Sequence, residues 1–143
     1  MIDLLPRFIH IFSAIVLLGG ALYARHVLTP VLNVLPDDKR MQAAAGAQLR
    51  YRSVLFTFVA LSLLSGIYNF LRVPHSHVYQ IAFGIKMLFV LHIYATVILW
   101  ATSPYGDVEM AGKKKRRTLS IVIAGAIVVL ISAYLRSLSM PGF

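Results

Sequence analysis

The chain has 143 residues, of which 59% are hydrophobic and 13% are charged, and its formal net charge is +9. Soluble globular domains are about half apolar and about a quarter charged, so this balance predicts one small domain solvated largely by lipid. The absence of cysteine excludes disulfides, thiolate metal sites and cysteine nucleophiles. The basic residues flank apolar runs, which favours a membrane surface over nucleic acid as their partner.

Four apolar runs are long enough to cross a bilayer. A spanning helix needs about 20 apolar residues, because each residue rises about 1.5 Å through about 30 Å of hydrocarbon. The predicted spans are residues 8–28, 53–71, 78–101 and 119–135. They predict an all-α fold, an integral membrane four-helix bundle formed by the single domain 1–143. The N-terminus lacks the features of a cleavable signal peptide, so the first run is expected to remain as a span.

The first connection has a helix signal of its own. Asp37 or Asp38 is a suitable cap for a short helix through the alanines at positions 43–45. This helix is expected either to lie on the membrane or to extend the second span.

Basic residues predict the orientation of the bundle. Nine of the fourteen Lys and Arg residues lie in the first and third connections, which share one side of the membrane. Basic loops stay in the cytoplasm, so both termini and the turn at residues 75–77 should face outward. The expected location is a bacterial inner membrane, with this outer side in the periplasm. The run from Lys113 to Arg117 either sets topology alone or also binds anionic lipid.

His10 is the first candidate for chemistry. Steps of three and four residues place it on one helix face with small or polar residues such as Ser13, Ala14 and Gly20. Such a face lets a neighbouring helix or a flat ligand approach closely, and an ionisable group on it should face the bundle interior. Neutral imidazole ligates haem iron, copper or zinc. The alternative is a structural histidine bonded to a neighbouring helix.

Lys86 lies about two turns into the third span. An unpaired lysine there costs about 2.5–3.5 kcal/mol on insertion scales. Pairing with a haem propionate or another acid would offset this cost, and the alternative is that the side chain snorkels outward. The acid predicted on its side of the membrane is Asp3, which makes a non-protein anion an attractive partner.

Other residues are candidate second ligands. His92 lies near the middle of the third span, about 10 Å deeper than His10 if both helices start level, so the two histidines form an imperfect pair. His75, His77 and Met87 are nearer to His10 in depth, and Met87 would supply a thioether. His75 and His77 flank one serine, which predicts either an external copper or zinc site or an ordinary polar loop.

Several of these residues occur in a familiar order. They are His10, Gly19-Gly20 and Pro30, then Ser65-Gly66, then Lys86 within Gly84-Ile85-Lys86-Met87-Leu88. This order resembles the copper-resistance protein D superfamily of membrane proteins over nearly the whole chain. It is also similar to the related haem-containing protoporphyrinogen oxidases of bacteria, whose pattern His10, Gly20, Tyr23 and Lys86 match. The resemblance implies either a haem group near the early histidine or copper handling.

The leading hypothesis is a membrane protein that holds haem b near the outer leaflet and acts in redox chemistry or electron transfer. His10 is the expected axial ligand, with His92, His77 or Met87 as the second, and Lys86 as the partner of a propionate. One alternative is copper transport or resistance. His10, His92, Met87 and the His75/His77 turn would then be the copper-binding sites. Another is a structural or assembly subunit, in a homo-oligomer or a larger membrane complex.

Catalytic residues are not apparent in the sequence. There is no phosphate-binding loop, no Ser/His/Asp arrangement and no pair of carboxylates. Conventional hydrolytic and phosphoryl-transfer chemistry is therefore excluded. If the protein is an enzyme, the expected class is an oxidoreductase of the protoporphyrinogen-oxidase type.

Overall fold

The computed structural model describes residues 4–72, 76–104 and 108–139, and every regular element within them is helical. There are four long helices: α1 (Leu4–Leu32), α2 (Asp37–Leu71), α3 (His77–Thr102) and α4 (Val108–Ser139). Each contains an apolar stretch long enough to cross a membrane. The all-α, multi-pass membrane fold predicted from composition is confirmed.

The four helices form a bundle in which each helix has two neighbours. Helix α1 packs against α2 and α4, and α3 packs against the same two helices. In the described part of the chain, α1 and α3 make no close backbone contact, so they lie diagonally across the bundle. The core between the helices includes Leu17, Leu55, Val97, Trp100 and Ile121. Many other large apolar side chains face outward, as contact with lipid requires.

Helix α2 is continuous over 35 residues. It begins directly after Pro36, and Asp37 and Asp38 lie in its first turn, where carboxylates interact favourably with the helix dipole. The short helix expected in the first connection is therefore an extension of the second span.

The basic run at residues 113–117 also lies within a helix, in the N-terminal part of α4. Lysine and arginine have high helix propensity, so the run continues α4 beyond its apolar stretch and does not form a loop. We call the end of the bundle that contains this run and the start of α2 the basic end. The opposite end contains the start of α1 and the start of α3.

Helix α1 contains one π-helical turn, over Ala24–Leu28. The backbone N–H of Thr29 donates to the Ala24 carbonyl, and the Thr29 hydroxyl donates to the same oxygen at 2.7 Å. Pro30 follows, and its ring requires space against the carbonyl one turn earlier. The wider turn supplies this space, so the helix continues to Leu32 instead of ending before the proline.

Gly19 and Gly20 are adjacent on α1 but differ in their surroundings. A Cβ atom at Gly20 would lie 1.7 Å from the Tyr51 hydroxyl oxygen of α2, whereas one at Gly19 would meet nothing within 4 Å. Because Tyr51 packs against the core, we expect Gly20→Ala to lower the free energy of unfolding by about 1–3 kcal/mol. Gly19→Ala should instead raise it by up to about 1 kcal/mol, because alanine favours helix.

Unfolding midpoints of the two glycine variants in detergent, measured by heating or by SDS titration, check this prediction. Gly19→Ala is the matched control, since both changes add one methyl group to the same helix. Equal midpoints for the two variants would contradict the close contact between α1 and α2.

Candidate functional site

The His10 imidazole lies at the contact between α1 and α2 and is half-buried. Its Nδ1 atom is 3.0 Å from the Ser62 carbonyl oxygen and 3.3 Å from the Ser65 hydroxyl oxygen. A carbonyl oxygen only accepts hydrogen bonds, so Nδ1 must carry the proton and donate it. The Ser65 hydroxyl donates to the Leu61 carbonyl at 2.6 Å, which leaves its oxygen able to accept from His10.

This arrangement defines the tautomer of His10. With the proton on Nδ1, the Nε2 atom carries the lone pair of the neutral ring. Nε2 makes no hydrogen bond to any residue within 4–72, 76–104 or 108–139. Metal-ligating histidines commonly have this arrangement, with one ring nitrogen on the metal and the other donating to a carbonyl. The bundle therefore holds His10 in the form suited to a metal ligand.

Ser62 and Gly66 complete the surroundings of the imidazole. The Tyr94 hydroxyl of α3 donates to the Ser62 hydroxyl oxygen at 3.0 Å, so buried Ser62 connects both α1 and α3 to α2. A Cβ atom at Gly66 would lie 3.0 Å from Cε1 of His10. That distance is tighter than most van der Waals contacts, so the missing side chain at Gly66 leaves room for the ring.

Lys86 of α3 is half-buried and close enough to His10 for the two to interact electrostatically. Its ammonium makes no hydrogen bond or ion pair with the part of the chain that the structure describes. An ammonium in this position is stabilised by an anion, because a cation within a span is costly to leave unpaired. The structure thus contains a histidine with an available nitrogen on α1 and, on α3, a lysine that lacks an anionic partner among the described residues.

His92 has a different environment. It is exposed on α3, and its Nε2 atom lies 2.6 Å from the Ser120 hydroxyl oxygen of α4. His10 engages α2 and His92 engages α4, so the two histidines have separate protein partners.

The remaining predicted ligands are dispersed. His77 is exposed at the first position of α3, Met87 is half-buried beside Lys86, and His75 lies outside the described residues. No group of three His, Cys, Asp or Glu side chains that could hold a metal ion occurs among the described residues. His10 and Lys86 are therefore the two candidates between which the structure indicates an interaction, a weak electrostatic repulsion when both are charged.

A second polar cluster lies at the basic end, and it was not predicted from the sequence. Lys114 is 3% exposed, although it belongs to the basic run. Its ammonium donates to Gln48 Oε1 at 2.5 Å, to the Trp100 carbonyl at 3.0 Å and to the Ser103 carbonyl at 2.7 Å. These three acceptors match the three donors of an ammonium group. The indole ring of Trp100 also lies beneath the ammonium, at 5.3 Å.

The same cluster caps the C-terminal end of α3. The Gln48 amide donates to the Ala101 and Ser103 carbonyls, and the Arg117 guanidinium donates to the Leu99 carbonyl. The last carbonyls of a helix lack partners within the helix, and cations are favoured beside them. Lys114 and Arg117 are three residues apart and so share one face of α4. That spacing is the sequence signal that could have indicated an inward-facing pair.

A small cavity lies in the core of the bundle. A narrow apolar cleft of about 20 Å³ lies between Leu17, Gly20, Tyr51 and Trp100, among others. This volume holds about one water molecule. A porphyrin is far larger, so this cleft cannot hold one; His10 and Lys86 are partly exposed and do not line it.

Comparisons of the chain with known protein families, with curated proteins and with solved structures found no significant match. Function is therefore inferred from the geometry of the chain's own residues.

Proposed function

We propose that the protein binds haem b in the half of the bundle that contains His10 and Lys86, and that it acts in electron transfer. The observation that supports this most directly is the 3.0 Å hydrogen bond between His10 Nδ1 and the Ser62 carbonyl. That bond orients the ring and keeps Nε2 available as an axial ligand. It also increases the basicity of the imidazole, which strengthens its bond to a metal.

Lys86 would meet a haem propionate. The ammonium interacts with His10 and has no anionic partner among the described residues. A carboxylate beside it would offset the cost of placing a cation in the span. Bound haem supplies one-electron redox chemistry, whose potential depends on the axial ligands and on the hydrogen bonds around them. In this chain the Ser62 carbonyl is the hydrogen-bond partner closest to the proposed ligand.

The second axial ligand would be His92, His77 or Met87. His92 has to give up its bond to Ser120 to serve. Met87 is next to Lys86, and His77 is exposed at the start of α3. These three residues can be compared by single substitutions, because loss of one of two ligands changes a low-spin spectrum to a high-spin one.

We further propose that the basic end faces the cytoplasm of a bacterium, which places the His10 site near the periplasmic leaflet of the inner membrane. Exposed basic residues at the basic end support this orientation. They are Lys39, Arg50, Arg52, Lys113, Lys115 and Arg116.

The test of the haem proposal is an absorption spectrum of the detergent-purified protein from haem-replete cells, first oxidised and then reduced with dithionite. We expect a Soret band that shifts on reduction, with sharp α and β bands if both axial ligands are in place. A flat visible spectrum would remove haem from consideration. Metal analysis of the same sample would then separate copper handling from a structural-subunit role.

A further inference from the structure

The five consecutive basic residues of α4 differ in what they contact. Lys114 and Arg117 turn towards α3 and bind its carbonyls. Lys115 and Arg116 are exposed. Their side chains make no hydrogen bond or ion pair with the described parts of the chain. Lys114 and Arg117 therefore stabilise the fold, and Lys115 and Arg116 are available to an outside partner.

Arg25 is held beside Lys115. Its guanidinium donates one hydrogen bond, at 3.1 Å, to the Lys115 backbone carbonyl, and the Thr118 hydroxyl donates to the same oxygen at 2.9 Å. A guanidinium has five N–H donors, so most of the hydrogen-bonding capacity of Arg25 is left over. The π-helical turn of α1 contains Arg25, and this turn is where α1 meets the N-terminal part of α4.

Neither Arg25 nor Lys115 forms an ion pair with a side chain in the part of the chain that the structure describes. The one salt bridge found there joins Arg40 to Asp37, both on α2. Arg25 and Lys115 contribute two positive charges from adjacent helices at this contact, and an anion that reached both would interact favourably with each. A fixed guanidinium pairs its N–H donors with the oxygens of phosphate or carboxylate, and phosphate is the group that an anionic phospholipid presents.

Apolar surface lies next to the two cations, on the side towards the middle of the membrane. Leu22 precedes Arg25 by three residues and is 44% exposed, and Leu119 follows Lys115 by four residues and is 39% exposed. These spacings place each leucine on the same helix face as its basic residue. We call the surface formed by Arg25, Leu22, Lys115 and Leu119 the α1–α4 seam.

We propose that the α1–α4 seam binds one anionic phospholipid, with its phosphate on Arg25 and Lys115 and its acyl chains along Leu22 and Leu119. Basic pockets between spanning helices are typical sites for anionic headgroups. A soluble phosphate would satisfy the cations but would leave the two leucines uncovered. The site is at the end of the bundle opposite His10, so it does not depend on the haem proposal.

Native mass spectrometry of the detergent-purified protein tests this site. The protein is mixed with equal amounts of dioleoylphosphatidylglycerol and dioleoylphosphatidylcholine, and a parallel sample also contains inorganic phosphate. We expect one phosphatidylglycerol to be retained in preference to phosphatidylcholine, with little displacement by millimolar phosphate. Equal retention of the two lipids would overturn the proposal, and so would displacement by phosphate at that concentration.

Substitutions locate the site. Lys115→Gln should lower phosphatidylglycerol occupancy about fivefold, since one cation near an anionic surface contributes about 1 kcal/mol. It leaves the backbone carbonyl that holds Arg25 intact, so folding should be unaffected. Lys39→Gln removes the same charge from exposed α2 and should leave occupancy unchanged. Equal losses in these two variants would show a general charge effect and would overturn the assignment.

Arg25→Gln is the second variant. It should lower occupancy at least as much as Lys115→Gln, because it removes the guanidinium that fixes the phosphate. Melting temperatures of all variants identify any that are misfolded. Normal phosphatidylglycerol occupancy in a folded Arg25→Gln protein would also overturn the proposal.

Discussion

Replacing His10 with alanine is expected to abolish haem binding. Removing an outer hydrogen-bond partner of a metal ligand typically costs 10–100-fold in affinity, so removing the ligand itself should exceed about 100-fold. The measurement is a titration of the haem-free protein with haemin, followed by the Soret absorbance. Haem content per protein, determined on samples purified from haem-replete cells, should fall in parallel.

His26→Ala is the matched control for this experiment. His26 is on the same helix, but it is exposed and its Nδ1 bonds the Leu22 carbonyl of its own helix at 3.2 Å. The control should retain the affinity of the unaltered protein. If His10→Ala retains it too, His10 is a structural histidine that ties α1 to Ser62, and the haem proposal fails at its main observation.

Replacing Lys114 with methionine is expected to have the largest effect on stability. The change keeps the volume of the side chain but leaves Gln48 Oε1 and the Trp100 carbonyl without a donor, whereas the Ser103 carbonyl keeps the Gln48 amide. Each buried acceptor left without a donor costs about 1–3 kcal/mol, so the two together should lower the free energy of unfolding by about 2–6 kcal/mol. The midpoint of SDS-induced unfolding should fall accordingly.

Lys115→Met in lipid-free detergent is the control for the Lys114 experiment, because it is the same substitution one position along at an exposed site. It should change the midpoint very little. Trp100 is the one tryptophan in the chain, and it lies against the Lys114 ammonium. Its fluorescence therefore reports on this cluster directly. Similar midpoints and similar fluorescence in both variants would contradict the capping role of Lys114.

The helices themselves could be predicted because their signal is local. Each apolar run falls within the range of lengths that cross hydrocarbon, about 17–25 residues, and that rule requires no knowledge of neighbouring segments. The continuation of α1 past Pro30 was harder to foresee. It depends on the π-helical turn and on the Thr29 hydroxyl reaching the Ala24 carbonyl, and neither is specified by residue type alone.

The inward direction of Lys114 depends on tertiary structure. The sequence does not distinguish among the five consecutive basic residues. The positions of Gln48 of α2 and of the end of α3 determine which of them turn inward. The amide of Gln48 is more than fifty residues away along the chain from the carbonyls it binds. The three-residue spacing in α4 indicates that Lys114 and Arg117 share a face, but Lys113 and Arg116 have the same spacing, so the sequence does not say which pair turns inward.

The His10 site was partly predictable. Its position on a face of small and polar residues was visible in the sequence, and so was the Ser65-Gly66 pair of α2. Its principal partner is the Ser62 backbone carbonyl. Every residue has a backbone carbonyl, so residue identity could not predict this hydrogen bond. The bond from His92 to Ser120 depends likewise on the register between α3 and α4, which hydropathy does not define.

Because α2 is continuous, its basic residues lie at two levels along the helix axis. We call the level of Arg52 the lower tier and the level of Lys39 the outer tier. Its 35 residues extend about 52 Å, some 20 Å more than the hydrocarbon requires. Arg52 lies near the expected start of the apolar stretch, and Lys39 stands about 20 Å further along the axis. The Debye length at physiological salt is about 8 Å, so the outer tier is screened from the lipid phosphates. Lys39 therefore faces ions and macromolecules in solution, and the lower tier alone senses the charge of the leaflet.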